Sequence, residues 1–286
     1  MTYQKLLKEQ MKRAATLGKE ETAVKLLILE LSGKDGATFL ADIKQEIDKD
    51  LEDRLIEAID EYLIKGRPVQ HIIGYSYFYG YKMKVSEEVL IPRPETEELV
   101  IYTIKKAQQV FDPKEKLDYV DLGCGSGNIL ISIEKNAGFA WNSVTGVDIS
   151  FLTLQATRKN KKYLGSAANL VKNDMISFLK KTTQKFDILT SNPPYISKVE
   201  DVDESVKKYE PKKALYVNPS YYYYEEIIKL LPKVMKEKFV ASFEIGYDLK
   251  EILEDILKRT KFNIKIKYEF IKDIYGNDRI LLIYSV

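Results

Sequence analysis

The sequence predicts an α/β protein: a mostly parallel, Rossmann-like sheet with helices on both faces, preceded by a small N-terminal helical bundle and a connecting β-hairpin. Three observations predict it. Residues 3–65 carry helical periodicity alone. Strands and helices alternate from Glu95 to the C-terminus. A glycine-rich turn joins the first of those strands to the helix that follows. The boundaries read as a helical domain 1–68, a hairpin linker 69–91 and an α/β domain 92–286.

Four apolar stripes make up the first domain. Leu6, Leu7, Met11, Ala14 and Leu17 form one, and Val24, Leu27, Ile28 and Leu31 a second. Phe39, Leu40, Ile43 and Ile47 predict a third helix. Leu51, Leu55, Ile56, Ile59 and Leu63 give a fourth, stopped by Gly66 with Pro68 beyond. Amphipathic helices with short connections read as a bundle. Residues 69–91 change to aromatic and β-branched types punctuated by Gly74 and Gly80, which predicts the hairpin and places His71 in it as a packed residue.

In the α/β domain the pattern predicts a helix over about 95–110 and strand 118–122. Helix 128–137, strand 143–148, helix 151–164, strand 169–172, helix 175–181 and strand 186–191 follow. Then come helix 222–236, strand 239–245, helix 248–258 and two final strands near 262–270 and 279–285. The turn Tyr275-Gly276-Asn277-Asp278 between the last two predicts an antiparallel edge. Trp141 reads as a loop or surface aromatic.

Composition narrows the chemistry. The 286 residues are 45% hydrophobic and 31% charged, an ordinary globular balance. No apolar run approaches the roughly 20 residues that cross a bilayer. The single cysteine, Cys124, excludes an internal disulfide, and the single histidine, His71, excludes a histidine metal cluster. A cytoplasmic location without metal or membrane follows. Net charge is +2, with −2 over residues 1–74, which gives no broad basic surface for nucleic acid.

The first strand of the α/β domain runs into Gly123-Cys124-Gly125-Ser126-Gly127. Glycines at a strand-to-helix turn let a ligand approach the backbone. The second strand ends at Asp148, 21 residues after Gly127, where an acid accepts hydrogen bonds from ribose hydroxyls. A nicotinamide cofactor and S-adenosyl-L-methionine both suit these features. The spacing is G-x-G-x-G rather than the dinucleotide G-x-G-x-x-G, which resembles that of methyltransferases. Asp174 and Met175 follow the third strand, under the expected position of an adenine. Asp174 suits two compatible roles there, an acceptor for the adenine amino group and a helix N-cap.

The fourth strand ends in Asn192-Pro193-Pro194-Tyr195. Two prolines make a stiff loop without N–H donors. An amide or aromatic amino nitrogen is a poor nucleophile because its lone pair is delocalised. The Asn192 side-chain oxygen and the Pro193 carbonyl suit acceptance of both its N–H groups, drawing it toward tetrahedral geometry. Tyr195 would pack on the planar group.

The chain resembles the HemK family, the peptide-chain release factor glutamine N5-methyltransferases, over nearly its whole length. Val69-Gln70-His71-Ile72-Ile73-Gly74, Leu90-Ile91-Pro92-Arg93-Pro94-Glu95-Thr96-Glu97 and Ser191-Asn192-Pro193-Pro194-Tyr195 carry the resemblance. Glu210-Pro211, Phe243-Glu244-Ile245-Gly246 and Lys272-Asp273 with Gly276, Asp278 and Arg279 complete it. It implies a Rossmann-like class I methyltransferase domain that methylates the glutamine in the Gly-Gly-Gln loop of class 1 peptide chain release factors, with residues 1–68 docking that substrate. It implies S-adenosyl-L-methionine contacts at Gly123 to Gly127, Asp148, Asp174, Met175 and Asn192. Catalysis falls on Asn192, Pro193 and Tyr195, and substrate contacts on Asn192 to Tyr195, with Arg93 and Glu95 shaping the pocket or serving structure only. A monomer without stable nucleic-acid binding is expected, with N6-adenine methylation of DNA or RNA as the alternative. The run Tyr221–Tyr224 departs from the family pattern and reads as packing.

Overall fold

The structure, a computed structural model, describes residues 1–198 and 203–286. It divides into two units, one of Met1–Tyr75 with Asp203–Tyr209, the other of Ser76–Val202 with Glu210–Val286.

The first unit is helical: α1 (Tyr3–Thr16), α2 (Glu21–Leu31), α3 (Gly36–Ala41), α4 (Lys49–Leu63) and α5 (Val69–Ile73). Leu6, Leu27, Ile28, Leu55 and Ile59, fully buried, make its centre. Side-chain caps start three of the helices. Thr2 accepts the Lys5 N–H, Asp35 that of Thr38 and Asp48 that of Asp50. The third helix is shorter than its apolar stripe predicts. The carbonyls of Ile43 and Gln45 accept the N–H groups of Gln4 and Tyr3, so residues 42–46 turn against the chain's own start. Leu40 is left exposed.

Residues 69–73 are a helical turn and not part of a hairpin. Pro68 presets the first turn and its carbonyl accepts from His71 and Ile72, and Gly74 ends the helix. His71 is buried on that helix. The hairpin itself is β1 (Tyr75–Phe78) and β2 (Tyr81–Lys84). Tyr79 and Gly80 between them both have positive φ, the conformation a two-residue hairpin turn requires.

The second unit continues with α6 (Thr96–Val110), β3 (Lys116–Leu122), α7 (Asn128–Asn136), β4 (Ala140–Asp148), α8 (Phe151–Leu164), β5 (Asn169–Lys172), α9 (Met175–Lys181) and β6 (Phe186–Ser191). After α10 (Glu204–Tyr209), which belongs to the first unit, come α11 (Lys212–Leu215), α12 (Tyr222–Val234), β7 (Met235–Glu244), α13 (Lys250–Arg259), β8 (Ile266–Lys272) and β9 (Asp278–Ser285). The sequence pattern predicts no element between 192 and 221. The two short helices there carry lysines rather than an apolar stripe, so periodicity does not reveal them.

The seven-stranded sheet has the order β5-β4-β3-β6-β7-β9-β8. The first five of these strands run parallel, and β9 runs antiparallel to both its neighbours, β7 and β8. Along β3 the side chains alternate between two cores, as a sheet buried on both faces demands. Leu117 and Tyr119 pack with Leu99 and Ile104 of α6 and Ile129 and Ile133 of α7. Val120 and Leu122 pack with Leu179 of α9, Ile227 of α12 and Leu253 of α13. Trp141 is not in a loop but on β4, half-buried, its ring tilted against Tyr119 at 5.7 Å between centroids and its indole N–H donating to the Glu134 carbonyl.

Strand order reverses between β3 and β6. A crevice opens at such a switch point, outside the carboxyl ends of the strands, and ligands bind there in open α/β sheets. The glycine loop leaves β3 and Asn192 leaves β6 at that point.

Candidate active site

The loop from β3 to α7 holds Gly123, Gly125 and Gly127 at φ of 71°, 55° and 83°. Gly127 is the most constrained, since a Cβ built on it would lie 2.8 Å from Thr157 Cγ2. The loop is clamped from within. Gly123 and Cys124 N–H donate to the Val147 carbonyl, Gly127 N–H to the Cys124 carbonyl, and Thr157 Oγ1 to the Gly125 carbonyl. Cys124 is buried, and burial raises its thiol well above the ordinary range, which removes it as a nucleophile.

Asp148, at the end of β4, accepts the Gly125 N–H at 3.1 Å on one oxygen and the Ser150 N–H at 2.9 Å on the other. Burial raises its carboxyl while these bonds pull the other way. Each oxygen keeps a lone pair for a hydroxyl. Asp174 caps α9 by accepting the Ser177 N–H at 2.8 Å. Met175 begins that helix, its methyl 3.3 Å from where a Cβ at Gly123 would stand.

These parts surround a cavity of about 330 Å³ in the second unit. Of the residues expected from sequence, Gly123, Cys124, Gly125, Ser126, Asp148, Asp174, Met175, Asn192, Pro194 and Arg93 line it. Gly127, Pro193, Tyr195 and Glu95 do not. Gly127 closes the loop from behind, and Pro193 is buried. Tyr195 packs against the core and donates its hydroxyl to Glu244 at 3.4 Å. Glu95 is the N-cap residue of α6, without a side-chain cap bond.

Sequence reasoning overlooks several residues at the site. Thr96 lines the cavity and donates to Glu244 at 2.6 Å. Glu244 is buried at the carboxyl end of β7, a position that strand-end logic flags. Lys212 and Lys213 of α11 also line the cavity. The tyrosine run divides its work. Tyr222 is exposed, Tyr223 lines the cavity, and Tyr224 is buried and donates to the Glu244 carbonyl at 2.8 Å. Among the described residues, no three His, Cys, Asp or Glu side chains group to hold a metal ion.

The donor set favours one kind of ligand. A pyrophosphate needs free backbone N–H groups and no anion beside them. Here Gly123, Cys124 and Gly127 spend theirs on carbonyls, and Asp148 stands against Gly125. Such a site suits a ligand with ribose hydroxyls and a positive centre. Fold and site together define an S-adenosylmethionine-dependent methyltransferase.

The chain is 37% identical to the release factor glutamine methyltransferase of Bacillus subtilis, over 92% of this chain and 90% of that one. On that similarity it belongs to the release factor glutamine methyltransferase family. The same enzyme of Staphylococcus aureus is 32% identical over 98% of both chains. The "PrmC N-terminal domain" family model matches residues 5–74, and that of the "Methyltransferase small domain" residues 103–209. A methyltransferase from Pyrococcus furiosus shares the fold with a TM-score of 0.51 at 14% identity, covering 83% of this chain and 98% of that one. Among the described residues no helix is long and apolar enough to cross a membrane.

Proposed function

We propose that this enzyme methylates the side-chain amide nitrogen of the glutamine in the Gly-Gly-Gln loop of class 1 peptide chain release factors. The observation that carries the reading is Asn192. It stands at the switch point, lines the same cavity as the glycine loop and Asp148, and is followed by two buried prolines. Bound in that cavity, S-adenosylmethionine supplies an electrophilic methyl group on a sulfonium. Gly123 to Ser126, Asp148, Asp174 and Met175 line the cavity and would hold it, with Gly127 shaping the loop from behind.

The chain's own contribution is position. Asn192 Oδ1 and the Pro193 carbonyl accept the two N–H groups of the target amide. The nitrogen carries more positive charge in the transition state than before it, so both acceptors strengthen there. Pro194, on the cavity wall, holds the amide plane, and Tyr195 packs behind the loop and keeps it in place. Arg93 shapes the cavity wall, and Glu95 supports the loop that carries it. Residues 1–68 dock the release factor through a mildly acidic surface suited to protein rather than polynucleotide. The enzyme works as a cytoplasmic monomer, without stable nucleic-acid or membrane binding.

The test is transfer of label from methyl-labelled cofactor to release factors carrying Gly-Gly-Gln or Gly-Gly-Ala. Only the first is expected to be labelled, and equal labelling of both sinks the assignment. Label entering adenine in DNA or RNA would support the alternative.

A further inference from the structure

We infer that Thr96 and Glu244 are positioning residues that fix which end of the Asn192 amide faces the target nitrogen. This rests on the reading that Asn192 Oδ1 accepts from the substrate. An asparagine amide presents an acceptor at one end and donors at the other, and a rotation of 180° about χ2 exchanges them. Only one orientation serves a substrate that is itself an –NH2 donor. Something in the protein must select it.

Thr96 Oγ1 lies 2.6 Å from Glu244 Oε2, the distance of a hydroxyl donating to a carboxylate. A threonine hydroxyl has one proton, and Glu244 takes it. Toward Asn192, Thr96 is therefore an acceptor only. The Asn192 atom facing it, at 3.5 Å, is Nδ2. That leaves Oδ1 at the other end of the amide, and both residues line the cavity. Reversed, the amide would set an oxygen against an oxygen lone pair at Thr96 and its own N–H groups against those of the substrate.

Hydrogen bonds hold Glu244 in place. Its other carboxylate oxygen accepts from Tyr195 at 3.4 Å, and its carbonyl accepts from Tyr224 at 2.8 Å. Its side chain is buried at the end of β7, where an ionised acid is costly unless hydrogen-bonded. Burial raises its carboxyl, while Thr96, Arg279 and Tyr195 favour the charged form. The same acid thus polarises Thr96 toward Asn192 and tethers Tyr195, two members of the Asn-Pro-Pro-Tyr loop reached from one carboxylate.

The experiment uses the full chain with Thr96→Val, Thr96→Ser and Glu244→Gln. Thr96→Val should lower kcat on a Gly-Gly-Gln release factor by about 10- to 100-fold, because a misoriented contact loses rate rather than binding. Affinity for S-adenosylhomocysteine should stay within about threefold of wild type, as Thr96 keeps its volume. Thr96→Ser restores the hydroxyl and should restore most of kcat. Glu244→Gln, which offers a donor where the carboxylate offers none, should fall between. Nitrogen-15 NMR gives a measurement independent of substrate. The Asn192 side-chain N–H groups should exchange slowly in wild type and Thr96→Ser and faster in Thr96→Val. A folded Thr96→Val enzyme with wild-type kcat, or with unchanged Asn192 exchange, overturns the inference. Wild-type enzyme that labels no release factor instead sinks the functional reading, and the exchange measurement still decides the positioning.

Discussion

Arg93 donates to Glu210 at 2.6 Å, and the Ile91 N–H donates to the other Glu210 oxygen at 3.1 Å. The Glu210 side chain is 1% exposed and Arg93 36%. One carboxylate thus ties the loop before α6 to the start of α11, and both segments line the cavity. Arg93 has a structural partner, and its place in the wall follows from that pair.

Arg93→Ala leaves Glu210 buried without its cation. Breaking a fully buried pair costs about 3–5 kcal/mol, and the partial exposure of Arg93 reduces this to about 2 kcal/mol. Cofactor affinity should fall with it as the wall loosens. Chemical denaturation and calorimetric titration with S-adenosylhomocysteine measure the two effects. An Arg93→Ala enzyme as stable as wild type would show that the pair does not hold the wall.

Gly127→Ala should damage the loop from behind. The residue stands at φ 83°, and a methyl there would meet Thr157 Cγ2 at 2.8 Å. Left-handed backbone costs a side-chain-bearing residue about 1–2 kcal/mol, and overpacking adds about as much. Thr157 also bonds Gly125, so displacing it moves the strip of loop facing the ligand. A lower melting temperature and at least tenfold weaker binding of S-adenosylhomocysteine are expected. Thr157→Ser, which removes the clashing methyl and keeps the hydroxyl, should recover part of both in the double variant.

Asp121 gives stability an unusual slope with pH. It is buried beside the glycine loop, accepts from Thr190 at 2.7 Å, and Thr190 in turn bonds the Tyr119 hydroxyl. Burial raises its carboxyl to about 7, against the pull of Thr190. The unfolded chain releases this proton near the ordinary value of about 4. Between those values the folded state holds a proton that the unfolded state has lost. Stability from this group is therefore full below about pH 4 and declines until about pH 7. Asp121→Asn cannot ionise, and its urea-unfolding free energy should stay flatter from pH 5 to 8 than that of wild type, by a few kcal/mol at most. Parallel curves for the two proteins would contradict the assignment.

Much of this was legible in the residues, and what was not has physical reasons. Strands β3 to β6 and their helices announce themselves because a sheet covered on both faces demands apolar runs between glycine and polar breaks. The glycine loop, Asp148 and Asn192 are local motifs at strand ends, where sequence and space coincide. The third helix is shorter than its stripe because Ile43 and Ile47 keep helical spacing while carbonyls 43 and 45 are claimed by residues 4 and 3, contacts 39 and 42 residues away in sequence. Val69–Ile73 misled because β-branched composition outweighed Pro68 and Gly74. Thr96 and Glu244 are 148 residues apart, and only the packing of α6 against β7 brings them together. Nothing about a threonine after a glutamate signals that partner.

Tyr195 separates two roles that one residue type often combines. Its ring packs against the core, while its hydroxyl makes a long, 3.4 Å bond to Glu244. Burial, reinforced by the Glu244 carboxylate, pushes the phenol far above its ordinary value, so it stays protonated throughout the working range and cannot take a proton from the substrate. Tyr195→Phe keeps the ring and should keep kcat within about threefold, since one long hydrogen bond contributes about 0.5–1 kcal/mol. Tyr195→Ala removes the packing behind the loop that carries Asn192 and should lower kcat by about 100-fold, the loss expected of a misplaced reactant. The pH–rate profiles of wild type and Tyr195→Phe should superimpose up to about pH 10, where a free phenol would titrate. A rate that rises with pH in wild type but not in Tyr195→Phe would make the hydroxyl a base and move the chemistry from positioning to proton abstraction.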